Sequence, residues 1–190
     1  HERLVGSEMC IRDSVGIVED SVYGGYAEKD NSNNNQVTVD GAGTVKDTVF
    51  GAFSEKGNTT GNVVNIRGNS VIGDDTVIPI KGAVVGGFAL EGISSGNTVN
   101  IANSKVFRNV YGAFGGNDCT GNIINITGSE IGANVYGGQA EKGNSLGNTV
   151  SIDISTKQYR NKFSVFKFHC LKKLLSIPLY FYISSHYTPG

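Results

Sequence analysis

Between Val110 and Ile126 the chain reads Val-Tyr-Gly-Ala-Phe-Gly-Gly-Asn-Asp-Cys-Thr-Gly-Asn-Ile-Ile-Asn-Ile, two short apolar motifs joined by a Gly- and Asn-rich connector. The first motif is Val, an aromatic or apolar residue, Gly, then Gly or Ala. It recurs as Val22-Tyr-Gly-Gly25, Val49-Phe-Gly-Ala52, Val84-Val-Gly-Gly87, Val110-Tyr-Gly-Ala113 and Val135-Tyr-Gly-Gly138. The second motif opens on Asn and recurs as Asn35-Gln-Val-Thr-Val39, Asn62-Val-Val-Asn-Ile66, Asn97-Thr-Val-Asn-Ile101, Asn122-Ile-Ile-Asn-Ile126 and Asn148-Thr-Val-Ser-Ile152. From each Val to its Asn the offset is 13, 13, 13, 12 and 13 residues, while successive Asn residues stand 27, 35, 25 and 26 apart. A nearly constant inner spacing inside a repeat of variable length marks a structural unit.

Asn-x-Val-x-Ile alternates with period two, which aims β-branched residues to one side of a strand and Thr, Asn or Ser to the other. That pattern excludes a helical solenoid. Val-Tyr-Gly-Gly reads as a second strand holding a bend or bulge, because paired glycines remove the side chains that resist a sharp turn. Connectors such as Glu55-Lys-Gly-Asn-Thr-Thr-Gly-Asn62 and Glu141-Lys-Gly-Asn-Ser-Leu-Gly-Asn148 supply loops. A third short strand is placed at Ser70-Val-Ile72 and Ser129-Glu-Ile131. A unit of this kind cannot bury its apolar face until neighbours stack on it. Two or three strands in roughly 25 residues suit one turn of a parallel β-helix, whereas a propeller blade takes four strands and about 40 residues. The expected fold is therefore an all-β parallel β-helix, a solenoid of about five coils of roughly 25 residues over 15–156, with an incomplete first coil. Stacked about 4.8 Å apart, five coils extend on the order of 24 Å.

Stacking places equivalent residues above one another. Asn35, Asn62, Asn97, Asn122 and Asn148 are expected to form a structural ladder of amides bonded along the axis at a turn. One aromatic column runs through Tyr23, Phe50, Tyr111 and Tyr136, with Val85 in the third coil, and a second runs through Tyr26, Phe53, Phe88 and Phe114 before ending at Gln139. Such rings stabilise neighbouring strands or bind the faces of sugars, and the structural role is the stronger expectation. Only one column is expected to face inward, and the Gly-Gly bend leaves open which. Glu28, Glu55 and Glu141 occupy equivalent positions, each followed by a lysine, and read as a solvated face. The longest interval, from Asn62 to Asn97, holds an insertion, Gly73-Asp-Asp-Thr-Val-Ile-Pro-Ile-Lys81, that is expected to project as a loop.

Composition agrees with repetition. The 190 residues include 27 Gly and no Trp, which disfavours a conventional mixed core. The net charge of −1 hides a split: residues 15–156 hold 14 acidic and 8 basic side chains, whereas 157–190 hold six basic and no acidic ones. The repeats thus carry no basic face for nucleic acid. Cys10, Cys119 and Cys170 show no paired spacing, so neither a disulfide framework nor a zinc site is indicated. No apolar run reaches the roughly 18 residues of a spanning helix, and an export signal is expected upstream of this fragment.

Both ends differ from the repeats. Leu4-Val-Gly-Ser-Glu-Met-Cys-Ile-Arg-Asp-Ser14 matches the translation of a transposase-type sequencing-library adapter, so 1–14 is set apart as adapter-derived and Met9 and Cys10 carry no functional weight. From Lys157 the Gly and Asn punctuation stops, and Phe163-Ser-Val-Phe-Lys-Phe168 and Leu174-Leu-Ser-Ile-Pro-Leu-Tyr-Phe-Tyr-Ile183 follow. A frameshift or chimeric join near Thr156 is the preferred reading of 157–190. A basic, aromatic segment for a membrane surface is the other, although Pro178 interrupts its apolar run. His169, Cys170 and His186 fit no standard zinc spacing.

The repeat Val-Tyr-Gly-Gly-x-Ala-x-x-Gly followed by Gly-Asn-Thr-Val-x-Ile, over about Val22 to Ile152, resembles the passenger regions of bacterial autotransporter and adhesin-like surface proteins. The resemblance implies a right-handed parallel β-helix at the cell surface, tethered to an outer-membrane barrel that has no counterpart here. It also implies a stalk or adhesive surface that meets a host surface or glycan, with no cofactor, no metal and no chemistry of its own. The rival reading is a β-helix polysaccharide lyase or glycoside hydrolase, with the adjacent acids Asp74 and Asp75 and the nearby Lys81 at its groove. The Gly-Gly-x-Gly-x-Asp repeat of calcium-bound β-rolls is absent. A truncated stack exposes strand edges at its ends. Residues 15–156 expressed alone are therefore expected to self-associate, and a monodisperse monomer on a sizing column with light scattering would count against the truncated stack.

Overall fold

The computed structural model describes residues 8–12, 16–75 and 81–153. Among these residues every regular element is a strand, and every strand pairs in parallel with its counterpart one coil away. The chain is a parallel β-solenoid of about five coils.

Four sheets run along the axis. Sheet I stacks Glu8–Arg12, Gln36–Asp40, Val63–Ile66, Thr98–Ala102, Ile123–Thr127 and Thr149–Asp153. Sheet II stacks the two-residue strands Ile17–Val18, Thr44–Val45, Val71–Ile72, Lys105–Val106 and Glu130–Ile131. Sheet III is built on Val49–Ser54, Val84–Ala89 and Val110–Gly115, flanked by Val22–Tyr23 with Tyr26–Ala27 and by Val135–Tyr136 with Gln139–Ala140. Sheet IV stacks Thr59–Thr60, Ser94–Ser95, Cys119–Thr120 and Ser145–Leu146. Each full coil thus has four strands rather than two or three. The connectors read as loops contain sheet IV, whose two-residue strands are too short to show a period in sequence. Four strands per unit matches the count of a propeller blade, but the pairing is parallel and between units, at separations of 25 to 35 residues. In the first coil no strand occupies sheet IV.

The interior consists of four aliphatic columns. They are Val22, Val49, Val84, Val110 and Val135; Val37, Val64, Val99 and Ile124; Val39, Ile66, Ile101 and Ile126; and Val45, Ile72 and Val106. Val and Ile alone make up this cluster. A β-branched side chain has little rotamer freedom to lose and covers the pleated surface between neighbours. Each fully buried one contributes about 1.5–3 kcal/mol by transfer.

The corner between sheets IV and I is polar inside. Asn35 Nδ2 donates to Asn62 Oδ1 at 2.9 Å, Asn62 to Asn97 at 2.8 Å, Asn97 to Asn122 at 3.0 Å and Asn122 to Asn148 at 2.8 Å. The same oxygens also accept the backbone N–H of the Asn one coil below, at 2.9 to 3.0 Å. The second Nδ2 proton of Asn62, Asn97, Asn122 and Asn148 goes to the backbone carbonyl of Ser32, Thr59, Ser94 and Cys119 respectively. Asn62, Asn97 and Asn122 are 0% exposed. The residue before each Asn sits in the left-handed region: Gly61, Gly96, Gly121 and Gly147, with Asn34 at φ 56° in the first coil. Gly supplies that conformation at little cost, and Asn is the side chain that best tolerates it.

Glu8–Arg12, inside the adapter-like segment, pairs in register with Gln36–Asp40. Backbone pairing of this kind asks little of the side chains, and the strand carries neither repeat motif. The segment 157–190, with Phe163–Phe168, Leu174–Ile183, His169, Cys170 and His186, lies outside the described residues, as do 76–80 of the insertion.

A second amide column, Asn125 to Asn100 to Asn65, lies on the outer face of sheet I with bonds of 2.9 Å. Burial separates the two. Asn97→Ala leaves the N–H and one Nδ2 proton of Asn62 unsatisfied in the interior and is expected to cost about 3–5 kcal/mol. Asn125→Ala, on the solvated ladder, is expected to cost under about 1 kcal/mol. Urea denaturation followed by circular dichroism checks this contrast, and equal losses would refute the structural weight given to the buried column.

Candidate functional site

The most distinctive outer surface is on sheet III. Along Val49–Ser54 burial runs inward at Val49, outward at Phe50, inward at Gly51 and Ala52, outward at Phe53 and inward at Ser54. The glycine bend thus adds one inward residue and shifts the alternation by one. Residues three apart then share the outer side, so both aromatic columns face outward and neither enters the core. This corrects the expectation that one column is internal. The bend tolerates no side chain at its first Gly, since a Cβ on Gly51 would strike the carbonyl oxygen of Gly86 and a Cβ on Gly86 that of Gly112.

Eight half-buried rings make up the strip. In one column Tyr23 stacks on Phe50 with centroids 4.9 Å apart and planes 4° from parallel, and Tyr111 stacks on Tyr136 at 5.0 Å and 7°. In the other, Tyr26, Phe53, Phe88 and Phe114 stack at 4.9 to 5.1 Å, each pair within 8° of parallel. A centroid spacing near 5 Å exceeds the ~3.5 Å contact of carbon atoms, so parallel rings touch only by being offset. Rings of the two columns meet edge to face at 85° to 89°. The strip is a herringbone, in which each aromatic pair contributes about 0.5–1.5 kcal/mol beyond its burial. Tyr26 donates its hydroxyl to Glu55 Oε1 at 2.8 Å, and Asn109 Nδ2 donates to the Tyr111 hydroxyl at 2.8 Å. Burial raises the pKa of Tyr111, with the Asn109 hydrogen bond opposing.

Two breaks interrupt the columns. Val85 replaces a ring between Phe50 and Tyr111 and is only 4% exposed, so that position is closed. Gln139 follows Phe114 in register and is half-exposed.

Of the residues read as possible catalysts, Asp74 is half-buried, Asp75 exposed and Lys81 half-buried. Lys81 Nζ lies 3.9 Å from Asp47 Oδ2, a partner that spacing alone did not suggest. The insertion closes at its neck, where Gly73 and Gly82 pack so tightly that a Cβ on Gly73 would stand 2.7 Å from the Gly82 Cα. Glu28 and Glu141 are exposed and Glu55 is half-buried beside Tyr26. Their column passes through Leu90 in the third coil, because Leu90 N–H bonds the Ser54 carbonyl. Leu90 and Ile93 are 49% and 41% exposed. Sequence reasoning passed over both, although each puts an apolar residue into an otherwise polar column.

Among the described residues no three His, Cys, Asp or Glu side chains converge as metal ligands. Cys119 is 0% exposed, takes its place in the inner Ser and Thr row beside Ser94 and Ser145, and donates to the Gln139 carbonyl at 3.2 Å. No helix among the described residues is long and apolar enough to cross a membrane. No family model, curated protein or solved structure matches this chain.

Burial pushes the Cys119 thiol up to about 12, so the folded state keeps the proton that the unfolded chain releases near the usual thiol range. The raised value means that this contribution to stability is intact below the unfolded pKa and lost as pH rises through the folded one. In a Cys10→Ser, Cys170→Ser background, iodoacetamide is expected to modify Cys119 only at the rate of unfolding. Labelling at the rate of a free cysteine peptide at pH 8 would contradict this burial.

Proposed function

We propose that the chain is part of a surface-exposed, adhesin-like passenger, whose β-solenoid is a rigid stalk carrying an adhesive outer strip. The observation that carries this reading is the herringbone of eight half-buried rings along one outer face. An outward aromatic column is apolar surface left at the solvent boundary, and apolar patches of that kind mark contact sites. Leu90 and Ile93, which follow Phe88 in the third coil, are further exposed apolar side chains. The resemblance of the repeats to autotransporter passengers supports placement outside the cell, tethered to an outer-membrane barrel, facing a host surface or glycan. The polysaccharide-cleaving alternative has less support, since Lys81 is already engaged by Asp47. On the adhesin reading, Leu4–Ser14 is adapter-derived and 157–190 is not part of the solenoid, which long-read sequencing across the locus tests directly.

Bacterial cells displaying the chain are expected to be retained on glycan-coated surfaces several-fold more than cells displaying a Phe53→Ser, Phe88→Ser variant at equal surface density. Equal retention would count against the strip. Release of reducing or unsaturated sugar ends from uronate polymers by the purified chain would replace the adhesin reading with the enzymatic one.

A further inference from the structure

The aromatic strip holds four tyrosines, Tyr23, Tyr26, Tyr111 and Tyr136, and among the described residues only two of them stack face to face on one another. Tyr23 lies on Phe50 and Tyr26 on Phe53, whereas Tyr111 lies on Tyr136 with centroids 5.0 Å apart and planes 7° from parallel. Tyr111 and Tyr136 belong to different coils. They are 25 residues apart in the chain and in register on neighbouring strands of sheet III. Tyr23 and Tyr26 also meet, but within one coil and edge to face, at 5.8 Å and 86°.

Stacked phenols have a chemistry that phenyl rings lack. Loss of one electron and the O–H proton leaves a tyrosyl radical, whose unpaired electron is shared between the oxygen and the two Cε carbons beside it. Two such radicals side by side join through a Cε–Cε bond. The Tyr111 and Tyr136 rings are near-parallel copies one coil apart, so each Cε stands about 5 Å from its equivalent. Turning both rings about their Cβ–Cγ bonds aims one Cε of each at the other, and a lean of the two side chains closes the remaining gap. Both rings are half-buried on the outer side of sheet III, where that movement displaces no residue of the aliphatic columns. Contact between the rings lets an electron pass from one to the other, so an oxidant needs to reach only one of them. The chain has no Trp to compete for the oxidant.

The position of the pair gives such a bond a structural effect. Thr149–Asp153, the sheet I strand of the fifth coil, has no fully buried residue, whereas Thr98–Ala102 and Ile123–Thr127 are buried at alternate positions. A bridge from residue 111 to residue 136 ties this less buried coil to the fourth and restricts the unfolded chain, as any cross-link does.

We infer that Tyr111 and Tyr136 form an oxidative cross-linking site, at which hydrogen peroxide, acting through a haem peroxidase, joins the fourth coil to the fifth by a dityrosine bond. The two O–H hydrogens leave as two electrons and two protons and reduce the peroxide to two waters. The radicals couple Cε to Cε, and the two Cε–H protons then move to the oxygens and restore both hydroxyls. The product is two hydrogens lighter than the starting chain. The bond forms whether or not the strip binds a partner.

Treatment of the full 190-residue chain with a haem peroxidase and hydrogen peroxide tests the site, with dityrosine read by fluorescence and the linked residues by mass spectrometry of the digested monomer. Among the described tyrosines the principal link is expected between Tyr111 and Tyr136, with the loss of two hydrogens and a higher urea midpoint than that of the untreated chain. Tyr136→Phe keeps a stacked ring and is expected to remove this link. Phe50→Tyr places a phenol against Tyr23 in the stack at 4.9 Å and 4°, and is expected to add a second link, between Tyr23 and position 50. Absence of the link from Tyr111 to Tyr136 in the monomer overturns the inference. So does a link from Tyr23 to Tyr26 in equal yield, or failure of Phe50→Tyr to add a link, since either outcome shows that stacking between coils does not direct the coupling.

Discussion

A primary amide with no access to water must have its oxygen and both its protons bonded, or it costs several kcal/mol. Asn62, Asn97 and Asn122 meet that requirement only because another Asn stands one coil above at the same position. The bond therefore sets the register of every coil. A slip of one residue in any strand of sheet I would move an apolar column outward and strand an amide inside at the same time. The insertion shows how strongly this constraint acts. The interval from Asn62 to Asn97 grows to 35 residues, yet their amides still meet at 2.8 Å, because Gly73 and Gly82 bring the chain back to the point where it left.

The second organising feature is the absence of side chains at the bend in sheet III. Gly24, Gly51, Gly86 and Gly112 are each so close to the next coil's carbonyl that any Cβ would collide. That closeness allows two consecutive inward residues, and two consecutive inward residues send both aromatic columns outward. The glycine column is thus the structural cause of the outward aromatic surface.

Among the described residues the ion pairs Glu19 with Lys46, Asp40 with Arg67, Asp47 with Lys81 and Glu130 with Lys105 are all at least partly solvated and contribute at most about 1 kcal/mol each. Cys119 occupies a slot filled by Ser or Thr in neighbouring coils, which suits a buried protonated thiol that serves as a small packing group. The features that depart from the repeat's own pattern are Val85, Leu90, Ile93 and Gln139. Three of them gather in the third coil, the one that carries the insertion.

The repeat, the parallel solenoid, the aliphatic face of Asn-x-Val-x-Ile and the vertical alignment of Asn35, Asn62, Asn97, Asn122 and Asn148 were legible from sequence alone. Each follows from period-two alternation and constant spacing, which are local properties of the chain. The two-residue strands of sheet IV were not, because two residues carry no period and become strands only by pairing with the coils on either side. The orientation of the aromatic columns was equally hidden. Alternation predicts opposite sides for residues an odd number apart, and only the collision geometry of stacked glycines decides that Phe50 and Phe53 share one. The same holds for Lys81 and Asp47, 34 residues apart in the chain and 3.9 Å apart in space. Local periodicity determined what stacks on what, and the close approach of backbones between coils decided which side chains the stack presents to the outside.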